Sequence, residues 1–99
     1  MGRSVTIAPG AAIALREARL WLTQEGSGVD GRRRWAELKN ARRRLREWLY
    51  FGGPSREHAG HRQLVVSGYR ILYFVDSDTG DSGTAGNVRI VAVFGPGQR

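Results

Sequence analysis

The chain has no cysteine, which excludes disulfides and thiolate metal sites. It also lacks any apolar run approaching the roughly 20 residues that a membrane-spanning helix needs. The opening residues, MGRSVTIAPG, do not have the charged-then-apolar pattern of a secretory signal. These absences together predict a cytoplasmic protein with no membrane association. Acidic residues are scarce: Asp and Glu number 9 against 16 Lys and Arg, for a net charge of +7. Lysine is nearly absent too, since fifteen of the sixteen cations are arginine, the side chain suited to bidentate contacts with phosphate or carboxylate. Codon bias can account for arginine over lysine but not for the excess of cations over anions. A polyanionic partner accounts for it, either nucleic acid or a strongly acidic protein.

What is present is an ordinary globular composition, 40% hydrophobic and 25% charged over 99 residues. That length makes one domain, 1–99, which buries roughly 65% of its unfolded surface. The stretch SVTIA alternates, with Val5 and Ile7 on one face, and predicts a short first strand. Pro9 is well placed in the first turn of a helix. From Ala11 to Gln24, Ala11, Leu15, Ala18 and Leu22 recur at helical spacing, a face widened by Ile13, Leu20 and Trp21. Glu25 to Gly31 reads as a break. A second helix carries the apolar stripe Trp35, Leu38, Ala41, Leu45, Trp48 and Leu49, and Phe51-Gly52-Gly53-Pro54 ends it. At 100° per residue, Arg32, Lys39, Arg43 and Arg46 fall on a separate stripe, either a solvated outer face or a docking face for something negative.

Ser55 to Gly60 reads as a polar loop. Two strands follow, Gln63–Val66 and Tyr69–Val75, joined at Ser67-Gly68, then a long mobile loop from Asp76 to Asn87 and a last strand from Val88 to Phe94. The order is β-α-α-β-β-β, an α+β fold with a helical hairpin packed on one face of a small, mainly antiparallel sheet. Strand alternation puts Tyr69, Ile71, Tyr73 and Val75 on the core face, leaving Arg70, Leu72 and Phe74 on the open one.

Sites of chemistry are few. Asp76, Asp78 and Asp81 suggest a calcium loop, but an EF-hand would want a carboxylate or Asn, then glycine, then glutamate where Gly80, Asp81 and Asn87 stand. His58 and His61 have no third metal ligand nearby in sequence. The nine carboxylates are scattered, with no pair placed for acid–base work. No metal and no cofactor are expected. What remains is a basic cluster around the hairpin, Arg56, His61, Arg62 and Arg70, with Arg89 and Arg99 as further candidates. A cation on an uncovered sheet face suits an anion, unless a loop carboxylate pairs with Arg70. Such a cluster also suits metal-free RNA cleavage, with arginines stabilising the transition state and a histidine assisting proton transfer.

The residues Arg62-Gln63-Leu64, Gly68-Tyr69-Arg70-Ile71-Leu72-Tyr73 and the strand Val88–Phe94 resemble the C-terminal half of the RelE/ParE superfamily of bacterial type II toxins. The superfamily's element order is the one read above, so the resemblance spans nearly the whole chain, though the helical half matches only in pattern. It implies a growth-inhibiting toxin, of the kind associated with plasmid stabilisation, neutralised by a cognate acidic antitoxin in a toxin–antitoxin hetero-oligomer. The superfamily has two chemistries: RelE-like members cut mRNA on the ribosome, and ParE-like members poison DNA gyrase. Arg70 matches the arginine that RelE-like nucleases place on the scissile phosphate. Their two upstream lysines fall at His61 and Gln63, their arginine after the last strand falls near Gly97, and no tyrosine follows Phe94 to match their C-terminal one. If the protein is a nuclease, Arg70, His61 and Arg62 are the catalytic candidates. Phosphate or target contacts would fall to Arg56, Arg70, Arg89 and Arg99, and antitoxin or target docking to Arg32, Lys39, Arg43 and Arg46. The long helical hairpin and the Arg62-Gln63-Leu64 arginine look more like ParE. A third reading is a basic nucleic-acid-binding or interaction module that is not toxic.

Overall fold

A computed structural model describes residues 3–81 and 83–96. Strand β1 (Val5–Ile7) leads through an extended Ala8 into helix α1 (Pro9–Leu22), with Pro9 at its first position, where a missing N–H costs nothing. Helix α2 (Gly28–Glu47) follows, then a single 3-10 turn (Leu49–Phe51) and the short strand β2 (Gly53–Pro54). Strands β3 (Arg62–Val66), β4 (Tyr69–Val75) and β5 (Val88–Phe94) complete the chain. The sheet order is β1-β5-β4-β3-β2, with β1 parallel to β5 and the other pairs antiparallel. The architecture is the expected α+β arrangement with one extra edge strand.

The turn between β3 and β4 has positive φ at both Ser67 (50°) and Gly68 (85°), the type I′ geometry whose twist matches antiparallel strands. It fixes the register, Val66 opposite Tyr69 and Val65 opposite Arg70. Between β4 and β5 the register slips by one residue after Leu72, so Leu72 faces Ala92 while Tyr73 faces Ile90, leaving Val91 bulged. The bulge lets Ile90 and Val93 both reach the core although they are three apart.

The core lies between the helices and one face of the sheet. Ala11, Ala18 and Leu22 of α1 and Leu38, Ala41 and Leu45 of α2 meet Leu64, Ile71, Tyr73, Val75, Val88 and Ile90. Tyr73 is fully buried, and its hydroxyl donates to the Leu49 carbonyl (2.6 Å) and accepts from the Gly52 N–H (3.1 Å). That satisfies the polar tip a buried tyrosine must satisfy and ties the segment after α2 to the middle of the sheet. Where the helices meet, Gly31 leaves no room for a side chain, since a Cβ there would come within 2.2 Å of the Leu22 carbonyl oxygen.

Four expectations need correction. Ile13, Leu20 and Trp21 do not widen the buried face of α1 but are more than half exposed; only a narrow stripe of a helix reaches a single sheet beneath it. Trp48 leaves the α2 stripe because helical geometry stops at Glu47. With φ −138° and ψ 80°, Trp48 turns outward to 68% exposure and Leu49 takes the buried place. Helix α2 begins at Gly28, inside the stretch read as a break, because Gly26 and Gly28 (φ 91° and 67°) complete the turn between the helices in only a few residues. Gly53–Pro54 belongs to the sheet, pairing with Gln63 and Arg62.

Candidate functional site

The face of the sheet away from the helices presents Arg70, Leu72 and Phe74 from β4, as alternation predicts, with Val65 and Gln63 beside them on β3 and Phe94, Ala92 and Arg89 on β5. Leu72, between Gln63 and Ala92, is nonetheless buried and lies outside the core cluster. The face is therefore a mixed surface rather than an open polar one. Arg70 sits over the Phe94 ring (5.0 Å to the centroid), and its Nη1 lies 3.8 Å from the carboxylate of Glu57 in the loop before β3. A loop carboxylate thus does stand beside Arg70. Glu57 is mostly exposed, and such a loose pair contributes little to stability.

His61 shares this face, its ring 5.6 Å from that of Phe74 and 6.4 Å from that of His58. Its Nδ1 lies 3.1 Å from the Ala59 carbonyl. A bond there requires the proton on Nδ1. His61 is nevertheless four β4 residues away from Arg70, roughly 13 Å along the strand. The two share a surface without converging on one atom.

Arg62 does not join them. It pairs with Tyr73 across the strands, and Tyr73 points to the helices, so Arg62 emerges on the opposite side from Arg70. Its guanidinium lies over the Tyr50 ring (4.3 Å), its Nε donates to Asp78 Oδ2 (2.8 Å), and Nη1 reaches the Gly52 carbonyl (3.4 Å). Asp78 also accepts from the Tyr50 hydroxyl (2.7 Å). The Arg62 bond, then the Tyr50 bond, holds the Asp78 carboxyl below the usual range, while the same Asp78 bond raises Arg62. This clamp fastens the loop between β4 and β5, expected to be mobile, to the 3-10 turn. Further bonds close the loop on itself, from Asp76 N–H to the Asn87 carbonyl (2.9 Å) and from Ala85 N–H to the Asp81 carbonyl (2.9 Å). Tyr50 is not among the sequence candidates, and Asp78 enters there only in the rejected calcium pattern. A signal existed in the shared parity of Arg62 with Leu64 and Val66, which places its stem on the helix side.

Arg56 is exposed in its loop, Arg89 is exposed opposite Phe74 and Thr6, and Arg99 lies outside the described residues. On α2 the cations divide by role. Arg33 bridges Asp30 and Glu37 (2.6 and 3.0 Å), Arg34 donates to the Ser67 carbonyl (2.7 Å), Arg42 Nε donates to the Val5 carbonyl (3.0 Å), and Arg44 lies over the Phe51 ring (5.3 Å). Glu37 accepts from the Ser67 hydroxyl as well, and that bond is the main cause of its lowered pKa. Arg32, Lys39, Arg43 and Arg46 are exposed, and among the described residues no carboxylate lies within ion-pair distance of any of them. Among the described residues no three His, Asp or Glu side chains gather as a metal set, and no helix is long and apolar enough to cross a membrane.

No family model and no curated protein matches the chain. Among solved structures, a chain of the chromosomal ParDE TA (toxin–antitoxin) system from P. aeruginosa is similar over 95% of this chain and 96% of its own, with a TM-score of 0.69 and 13% identity. At that identity the likeness is one of fold, and the architecture implied by the hairpin motif is the one the chain adopts.

Proposed function

We propose that the protein is the toxin of a type II toxin–antitoxin module that blocks a macromolecular target in the ParE manner, with DNA gyrase as that target. A cognate acidic antitoxin neutralises it in the cytoplasm by forming a hetero-oligomer. The observation that carries this reading is the fold likeness, nearly end to end, to a chain of a ParDE system. The charge supports it, because a +7 chain whose α2 stripe has no ion-pair partner among the described residues suits an acidic partner. Inhibition is favoured over cleavage because Arg62 is committed to Asp78, and His61 and Gln63 stand where nuclease relatives carry lysines.

A second reading, ribosome-dependent mRNA cleavage, draws on Arg70 and His61 sharing the open face. Induced expression in a host lacking any antitoxin separates the two. The inhibitor reading expects filamentation and a DNA-damage response, with toxicity largely retained in Arg70→Ala. Rapid arrest of translation without DNA damage, abolished by Arg70→Ala, would instead establish the nuclease. Harmless expression would remove both and leave a binding module.

A further inference from the structure

The chain has two histidines and no cysteine, and both histidines stand in one turn. The segment from Ser55 to His61 links β2 to β3 and closes on itself. Ser55 N–H donates to the His61 carbonyl (2.9 Å), and His61 N–H donates to the His58 carbonyl (3.1 Å). Between the histidines Gly60 takes φ 78°, the left-handed value that glycine supplies at the third position of a tight turn. The His58 N–H is held as well, donating to Ser55 Oγ (3.2 Å). This backbone brings the two imidazoles together with ring centroids 6.4 Å apart.

His61 is oriented for a ligand role. Its ring is half-buried beside Phe74, with Nδ1 3.1 Å from the Ala59 carbonyl. A backbone carbonyl on one ring nitrogen is the arrangement that fixes a metal-ligating imidazole, because in the neutral ring it directs the lone pair to Nε2. His58 is exposed, so its ring can swing towards its neighbour. A metal about 2.0–2.1 Å from each nitrogen sets the centroids roughly 4.5–5.5 Å apart, a closure of roughly 1–2 Å. An exposed side chain covers that distance by rotation. The local charge does not oppose a cation, since Arg56 and Glu57 offset each other within the turn and Arg62 is paired with Asp78 (2.8 Å).

We propose that His58 and His61 form an open two-imidazole site for a divalent transition ion, Cu²⁺ in preference to Zn²⁺, with water at its other positions. Two imidazoles fall short of the three or four protein ligands of catalytic and structural zinc centres, so the ion binds reversibly rather than as a resident cofactor. Imidazole suits both ions, and affinity at a given site is greater for Cu²⁺. The bound ion cross-links the β2–β3 turn and holds it against Phe74 at the edge of the open sheet face. This site stands apart from the toxin reading and from either target.

The test uses the untagged full chain, so that no added histidines compete. Cu²⁺ and Zn²⁺ are titrated separately by calorimetry, and the copper complex is read by electron paramagnetic resonance. One imidazole-bound ion per chain is expected, with two imidazole nitrogens in the copper spectrum and tighter binding of Cu²⁺ than of Zn²⁺. His58→Ala and His61→Ala should each weaken binding at least about tenfold, since losing even an outer-shell partner costs about 10–100-fold. Gly60→Val keeps both histidines but disfavours φ 78°. A Cβ at Gly60 meets nothing within 4 Å, so the fold tolerates the change. Binding should weaken several-fold in that variant, which separates a preset turn from two unrelated side chains. If His61→Ala does not fold, His58→Ala, at an exposed position, decides alone. Undiminished binding in a folded single-histidine variant or in Gly60→Val would overturn the site. So would a copper spectrum without imidazole nitrogens, or tighter binding of Zn²⁺ than of Cu²⁺.

Discussion

Asp78 joins three segments through one carboxylate: its own loop, the 3-10 turn and β3. Arg62 and Tyr50 both donate to it, and the Tyr50 hydroxyl in turn accepts from the Gly80 N–H (2.8 Å). Two donors on a single carboxylate favour its charged form, which is why its pKa falls. The consequence for stability has a definite sign. A carboxyl whose folded pKa lies below its unfolded value, about 3.9, stabilises the fold above that value and loses the contribution as pH drops through the lower folded one. Asp78→Asn should therefore cost about 1 kcal/mol at neutral pH, as expected for a partly exposed pair. The gap between the two proteins should hold constant from pH 7 to pH 5 and close below about pH 4. Urea titrations across that range measure it, and a gap that widened on acidification would refute the clamp. Arg70 differs in kind, since its partner Glu57 is largely exposed at 3.8 Å and can move aside at little cost.

At the scale of elements, the helices come together closely at Gly31. A methyl group on Gly31 would meet the Leu22 carbonyl oxygen and the Ser27 Cβ at 2.2 and 2.7 Å, whereas one on Gly10 would meet nothing within 4 Å. Both glycines lie in helices, where alanine is intrinsically better by up to about 1 kcal/mol. Gly10→Ala should thus stabilise by a few tenths to about 1 kcal/mol, while Gly31→Ala should destabilise by about 1–3 kcal/mol through overpacking. Thermal unfolding of the two variants decides it, and a stabilised Gly31→Ala would mean that the helices do not pack this closely. The elements that sequence reading recovered are those with a strong period, β1, β3, β4, β5 and the body of each helix. Strand β2 has only Gly53 and Pro54 and exists through its pairing with β3, so no local pattern could announce it. Trp48 leaves the expected stripe because the helical period ends at Glu47, the last residue of α2. The Arg62–Asp78 pair spans 16 residues, beyond the reach of spacing arguments, although the parity of Arg62 was legible.

For the whole molecule, the question is where the +7 charge is available to a partner. Four of the α2 cations, Arg33, Arg34, Arg42 and Arg44, serve the fold through carboxylates, carbonyls or an aromatic ring. The four that remain are the stripe Arg32, Lys39, Arg43 and Arg46. The open sheet face offers a rival pair in Arg70 and Arg89, with Arg56 exposed in the loop before β3, but there Glu57 partly offsets Arg70. Affinity for a flexible polyanion tracks the number of cations it can reach together and falls with salt accordingly. Heparin chromatography reads that number. Replacing the four stripe cations with glutamine takes the net charge from +7 to +3 while leaving the fold-bearing arginines in place. That variant should elute at markedly lower salt and unfold at nearly the wild-type temperature. Arg56→Gln with Arg89→Gln should shift elution far less, because those side chains do not lie along one continuous track. The reverse ordering would move the principal anion-binding surface from the helical hairpin to the sheet, and with it the weight of argument from an acidic protein partner to single-stranded nucleic acid, which stacks its bases on aromatic rings such as those of Phe74, Phe94 and His61.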